Sequence, residues 1–104
     1  MTLERCIERI VEAAVDAAAH ILKEEFQENP SSYRDALLGL GKYQVISEKL
    51  SEDIAPSASL RNRIVHYYED IDPQIIFESA QKMLVHYPDF MNQISKRFKP
   101  IRAC

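Results

Sequence analysis

Residues 2–28 read TLERCIERIVEAAVDAAAHILKEEFQE, and this stretch decides the fold class. Its apolar residues recur at spacings of three and four, the period of one face of an α-helix. The stripe consists of Leu3, Ile7, Ile10, Ala14, Ala17 and Ile21, widened by Cys6, Val11, Ala18, Leu22 and Phe26. The opposite face carries Glu4, Glu8, Glu12, Asp16 and Lys23. The pattern predicts one long amphipathic helix that must bury its stripe against other elements.

A helix break and a short second helix come after this stretch. Asn29-Pro30-Ser31-Ser32 ends the first helix, because a proline disfavours helical geometry in the residue before it, and either serine can cap the second helix. We expect a short helix from about Tyr33 to Leu40, with Gly39 and Gly41 marking its end.

Two longer helices complete the chain. Ser47 can cap the third, whose apolar residues are Ile46, Leu50, Ile54 and Leu60. Pro56 either kinks this helix or divides it in two, and we favour a kinked but continuous element. Asp72-Pro73 opens the last helix, which Pro88 should bend. Its apolar residues are Ile76, Ala80, Met83, Tyr87, Met91, Ile94 and Phe98.

The composition agrees with one all-α domain. The chain has 104 residues with 46% hydrophobic and 28% charged residues and only two glycines, which suits a single helical core over residues 1–104. Four helices with long apolar stripes predict an antiparallel four-helix-type bundle. Stripes this long in so short a chain favour a symmetric homodimer that buries the remainder.

Charge and cysteine usage exclude several classes of protein. A net charge of −3 argues against coating nucleic acid non-specifically, although a local basic site stays possible. Cys6 and Cys104 lack the spacing of a metal site or a dithiol motif, so we expect free thiols and no metal or other cofactor. No apolar run approaches the ~20 residues of a membrane span, and no leader pattern is present. We expect a cytoplasmic protein without a membrane partner.

Polar side chains gather in the segment from Leu60 to Tyr68, which reads LRNRIVHYY. At about 100° per residue, Leu60, Ile64 and Tyr67 share the face that should pack in the core. Arg61 and His66 then lie about 140° apart on a straight helix. A site that uses both side chains therefore needs a bend in the helix or a second protomer.

Arginine and histidine together suit phosphodiester chemistry. A neutral imidazole can take a hydroxyl proton, and a guanidinium can stabilise the charge that develops on phosphate. In RNA the 2′-hydroxyl is the built-in nucleophile, so no metal is required. The alternative from the residues alone is a surface histidine beside an arginine held in a salt bridge.

The spacing of this segment resembles the signature of the HEPN superfamily, and specifically of its HepT-like toxins. The matching residues are Arg61 with Asn62 directly after it, then His66 and Tyr68. Three outer segments are also similar to that family's pattern, namely residues 13–16, 32–35 and 71–72. Chains of this family commonly carry another helix before the Leu3-Glu4-Arg5 stretch, so this sequence is either a short variant or one whose start was chosen late.

The resemblance implies a type VII toxin-antitoxin system in which a helical-bundle homodimer acts as a metal-independent endoribonuclease. Arg61 and His66 would cleave RNA in a cleft between protomers, and Asn62 would help to arrange them. Tyr68 would receive AMP from an MntA-like nucleotidyltransferase antitoxin, alone or within a larger complex. A bulky anion there would block RNA by its charge and volume.

Other candidates and two other functions stay open. Arg63 could touch RNA or remain solvated, and the basic residues 96–102 could guide RNA or simply be a solvated end of the chain. We assign no role to His20 or His86.

Two other functions stay open beside RNA cleavage. The main alternative is a non-catalytic helical module that binds a nucleotidyltransferase or nucleic acid, and the second is a plain dimerisation domain.

Overall fold

The computed structural model describes residues 2–67 and 70–98. These residues form four α-helices and no strand, which confirms the all-α class. The helices are α1 (Leu3–Phe26), α2 (Tyr33–Lys42), α3 (Glu48–Tyr67) and α4 (Pro73–Phe98). No helix in this part of the chain combines the length and the apolar character needed to cross a membrane.

Each helix begins behind a side chain that accepts a hydrogen bond from a backbone N–H of the first turn. These side chains belong to Thr2, Ser32, Ser47 and Asp72, with donor–acceptor distances of 3.2, 3.0, 3.1 and 2.9 Å. Such a cap stabilises a helix start by about 1 kcal/mol, because it pairs a backbone donor that has no partner within the helix. The predicted caps at Ser47 and Asp72 are confirmed, and Ser32 rather than Ser31 caps α2.

The two helices that contain proline are continuous. Pro56 lies inside α3 and Pro88 inside α4, and the helical assignment runs through both. The prediction that Pro56 does not divide its helix is confirmed.

Helix α3 contacts the other three helices, as α1 does, and its packing against α2 is the most extensive among the described helices. It runs antiparallel to α1, since Arg61 pairs with Glu12 and the following turn of α3 lies beside the start of α1. It is also antiparallel to α4, as shown by the pairing of Ser57 with Tyr87 and of Ser47 with Gln93. This arrangement places the last turn of α3 at the end of the fold where α1 begins.

The core is one continuous cluster to which all four helices contribute. Among the most deeply buried side chains are Ile7, Val11, Leu22, Leu37, Leu40, Ile46 and Ile54. The buried face of α1 includes three residues of the predicted stripe and three of the residues that widen it, whereas Leu3 and Ile10 are each about two-fifths exposed. The buried residues are Ile7, Ala14 and Ile21 of the stripe, with Val11, Ala18 and Leu22. In α4, Phe90 is buried in the core, whereas Met91, which the apolar pattern predicts there, is exposed. Phe90 continues the alternating spacing of three and four set by Met83 and Tyr87, which Met91 does not.

The prediction that Tyr67 packs in the core is wrong. Leu60 and Ile64 on the same face are buried, yet Tyr67 is 65% exposed. Tyr67 is the last residue of α3, and Ile64 already lies beside the first residues of α1. Tyr67 lies on the same face of α3 as Leu60 and Ile64, but α1 does not extend far enough to cover it.

The two glycines of α2 serve close packing and do not end the helix. Neither has a positive φ, and α2 continues to Lys42. A Cβ at Gly41 would lie 2.1 Å from Ser51 Oγ and 2.5 Å from Ser51 Cβ, so Gly41 lets α2 and α3 approach directly. The left-handed residue after the helix is Gln44, with φ of 58°.

One buried hydrogen bond ties α3 to α4. Ser57 Oγ and Tyr87 Oη are 2.8 Å apart, and Ser57 Oγ also donates to the Ile54 carbonyl at 2.6 Å, which leaves Tyr87 as the donor in the shared bond. Burial raises the pKa of Tyr87 above its ordinary value of 10.0.

The packing of Gly41 predicts a large effect of a single methyl group. Alanine is about 1 kcal/mol more favourable than glycine in a helix, but overlap with Ser51 should cost more, so Gly41→Ala should lower the free energy of unfolding by about 2 kcal/mol. Urea unfolding measures this. Gly39→Ala is the matched control, because its Cβ would meet only the flexible end of Leu22, at 2.9 Å, and it should change stability by less than about 1 kcal/mol. A Gly41→Ala variant as stable as the wild type would contradict the close approach.

The raised pKa of Tyr87 predicts a loss of stability at alkaline pH. Its contribution is fully present below pH 10.0 and declines as the pH rises toward the higher folded-state pKa, because the unfolded chain loses the phenolic proton first. The free energy of unfolding, measured in urea across this range, should therefore fall less steeply in Tyr87→Phe than in the wild type. Tyr67→Phe changes an exposed tyrosine and should keep the wild-type slope. Equal slopes in all three proteins would contradict the assignment to Tyr87.

Candidate active site

Arg61 lies in the second half of α3 and extends toward α1. Its Nη2 donates to Glu12 Oε2 at 2.7 Å, and the side chains of Arg61 and Glu12 are 17% and 40% exposed. A charged guanidinium with so little exposure requires a partner, because removing an unpaired charge from water costs several kcal/mol. Glu12 is that partner.

The ring of Tyr33, the first residue of α2, covers one face of the same guanidinium. The Arg61 Cζ lies 4.5 Å from the ring centroid, a cation–π geometry worth about 0.5–2 kcal/mol. Arg61 Nε is buried and has no hydrogen-bond partner among the described residues. The guanidinium is therefore held by residues of α1 and α2, neither of which belongs to its own helix.

Asn62 contacts the other terminal nitrogen of Arg61. Arg61 Nη1 donates to Asn62 Oδ1 at 3.2 Å, and the Asn62 side chain is exposed. Because each terminal nitrogen of arginine carries two N–H groups, one donor on each remains for a further acceptor. Two such donors on neighbouring nitrogens match the geometry of phosphate oxygens.

His66 lies in the last turn of α3 and is exposed. Its ring centroid is 6.2 Å from that of Tyr67, with the ring planes tilted by 59°. Within residues 2–67 and 70–98, no hydrogen bond joins His66 to Arg61. The structure thus brings Arg61 and Asn62 together and leaves His66 exposed to solvent.

The remaining candidates have varied surroundings. Arg63 is exposed, and Tyr68 lies outside the described residues. His20 is exposed, whereas His86 Nδ1 is 3.9 Å from Asp53 Oδ2 between α3 and α4. Arg97, from the predicted basic end of the chain, pairs with Glu25.

Two partners of Arg61 escaped the sequence interpretation. Glu12 was placed on the polar face opposite the stripe of α1, and Tyr33 was identified only as part of an outer segment similar to the family pattern. The 49 positions between Glu12 and Arg61 leave no local spacing signal that could relate them.

Among the described residues, no group of three or more His, Cys, Asp or Glu side chains could hold a metal ion.

Exposed apolar side chains surround the end of α3. Val65 and Tyr67 flank His66 and are 42% and 65% exposed, and Leu3 at the start of α1 is also exposed. The start of α1 and the Ile64-Val65 segment line a shared shallow groove. Exposed apolar groups beside polar candidate residues are typical of a surface that contacts another molecule.

Comparison with known proteins identifies the family. Residues 1–96 match the family described as "Ribonuclease HepT-like". The tRNA nuclease HepT of Aphanizomenon flos-aquae is 40% identical over 92 residues, which are 88% of this chain and 63% of that protein. The mRNA nuclease HepT of Shewanella oneidensis is 30% identical over 94 residues, which are 90% of this chain and 68% of that protein. This chain therefore spans roughly two-thirds of the length of these relatives. Since the match covers nearly all of its sequence, the chain belongs to the ribonuclease HepT-like family.

Proposed function

We propose that this chain is the toxin of a type VII toxin-antitoxin system and cleaves RNA in the cytoplasm without a metal ion. The observation that carries the proposal is the guanidinium of Arg61, which Glu12 and Tyr33 contact from other helices. Within residues 2–67 and 70–98 each of its terminal nitrogens makes one hydrogen bond, and the second N–H of each nitrogen can bind phosphate. The names of the two relatives, a tRNA nuclease and an mRNA nuclease, support RNA as the substrate.

The proposed chemistry uses the 2′-hydroxyl of RNA as the nucleophile. The neutral imidazole of His66 takes the proton of the 2′-hydroxyl, and the 2′-oxygen attacks the adjacent phosphorus. The bond from phosphorus to the 5′-oxygen breaks, and that oxygen takes a proton from water as it leaves, while His66 returns its own added proton to water. The products are a 2′,3′-cyclic phosphate and a 5′-hydroxyl. Arg61 stabilises the negative charge that grows on the phosphoryl oxygens, and Asn62 helps to orient Arg61.

We further propose that a homodimer of this single helical domain completes the site. Arg61 and His66 point in directions about 140° apart on one helix, so Arg61 of one protomer would act with His66 of its partner. Exposed Val65 and Tyr67 beside His66 supply apolar surface for such a contact. The cleft between the two copies would then be lined by donors from both.

Paired inactive variants test this shared site. Arg61→Ala and His66→Ala homodimers should each lose RNA cleavage by about 100-fold or more. A heterodimer of the two variants, purified through a different tag on each chain, should recover about half of the wild-type activity, because one of its two pairs of Arg61 and His66 across the interface is intact. Cleavage of labelled RNA is the measurement.

Exposed residues of the same types supply the controls. Arg9→Ala and His20→Ala, both in α1, should cleave RNA at the wild-type rate. An inactive heterodimer would show that Arg61 and His66 do not act across two protomers. Full activity in both homodimers would exclude these residues from cleavage and favour a non-catalytic module that binds a nucleotidyltransferase or nucleic acid.

Modification of Tyr68 is the proposed means of inhibition. Incubation with an MntA-like nucleotidyltransferase and ATP should attach AMP to Tyr68, which mass spectrometry detects as an adduct, and should reduce RNA cleavage. Tyr68→Phe should show neither effect. Tyr67→Phe changes the exposed neighbouring tyrosine and should be modified like the wild type. An adduct that persists in Tyr68→Phe would place the modification elsewhere.

A further inference from the structure

The contacts of Arg61 assign a role to a residue of α1 that the cleavage motif does not include. Glu12 reaches Arg61 Nη2 at 2.7 Å from another helix, and Tyr33 lies under the guanidinium at 4.5 Å. Most charged side chains of α1 are solvated or pair locally, as Arg5 does with Glu8 at 3.6 Å. Glu12 instead makes a contact that crosses between two helices.

We propose that Glu12 is a positioning residue for Arg61, and that it sets the direction of the guanidinium while Tyr33 sets its plane. This inference rests on the proposed ribonuclease function, because it concerns the arginine that would contact the scissile phosphate. Glu12 itself touches neither RNA nor the reacting atoms.

The hydrogen bonds of Arg61 indicate that Glu12 orients this arginine and does not block it. Glu12 engages only one terminal nitrogen, and Asn62 engages the other at 3.2 Å. One N–H on each terminal nitrogen is left for a phosphate. A carboxylate that blocked the arginine would occupy the donors that phosphate needs. Glu12 therefore holds Arg61 in a state that can still bind an anion.

The surroundings of the pair explain why an orienting residue matters. A free arginine samples many rotamers, and a misplacement of about 1 Å near a reacting centre can reduce a rate by about 100-fold. Three contacts hold Arg61, and only Asn62 comes from its own helix. Without Glu12, the ring of Tyr33 does not oppose rotation of the guanidinium within its plane, and the contact with exposed Asn62 is the one described hydrogen bond that still does.

Kinetics of Glu12 variants test the inference. At saturating RNA, Glu12→Ala should lower kcat by about 10- to 100-fold with a smaller change in KM, because the misplaced guanidinium acts mainly on charge that develops in the transition state. Glu12→Gln keeps an oxygen acceptor of the same length and should retain kcat within about fivefold. Glu24→Ala removes an exposed glutamate of the same helix and is the matched control, with kcat unchanged. Circular dichroism and thermal unfolding identify any variant that fails to fold.

A second measurement does not depend on cleavage. The ¹⁵N relaxation of the Arg61 Nε–H group should report an ordered side chain in the wild type and in Glu12→Gln, and a mobile one in Glu12→Ala, with the order parameter falling toward about 0.6 or below. A wild type that cleaves no RNA would overturn the proposed function, and the relaxation data would still test the positioning role.

Two results would overturn the inference while the proposed function stands. One is a Glu12→Ala variant that cleaves RNA as fast as or faster than the wild type, which would make Glu12 either irrelevant or inhibitory. The other is an Arg61 side chain that is equally ordered with and without Glu12.

Discussion

The rest of the structure depends on the burial of α3 among three other helices. Helix α3 contacts α1, α2 and α4, and eight of its residues are buried, so a polar side chain on a covered face of this helix needs a partner. Gly41 strengthens this constraint, because it lets α2 approach α3 until only the Ser51 side chain separates them. The start of α2 then lies beside Arg61, which brings Tyr33 under the guanidinium.

Arg61 and His66 are only five positions apart on α3, but this packing gives them different environments. Arg61 leaves α3 where α1 and α2 are still alongside, so it is mostly covered and paired with Glu12. His66 belongs to the last turn, beside the beginning of α1, and faces solvent. A covered arginine suits a fixed binding role, and an exposed imidazole suits proton exchange with a substrate or with a group from a second copy. The proposed division of labour therefore follows from how far α1 and α2 extend along α3.

The corrections to the sequence interpretation share one cause. Periodicity identified amphipathic helices, but the centre of a buried face depends on which neighbours cover it. In α1 that centre lies on Val11 and Ala18, which leaves Ile10 partly exposed. Tyr67 continues the buried face of α3, yet it stands where the covering helix has ended. Gly41 was interpreted as a helix end, whereas its lack of a side chain permits a contact between two helices.

The sequence by itself determined the helical class, the caps at Ser47 and Asp72 and the register of Arg61, Asn62 and His66, because these depend on residues within a few positions of one another. It also carried the likeness to the HepT-like family, which lies in the motif of Arg61, Asn62, His66 and Tyr68 and in three outer segments of the sequence. Only the tertiary structure decided which groups hold Arg61. Glu12 and Tyr33 come from two other helices, and their approach depends on how α1 and α2 pack on α3. The physical reason is range: capping and helical periodicity act within about one turn, whereas an ion pair across 49 positions exists only after the core has formed.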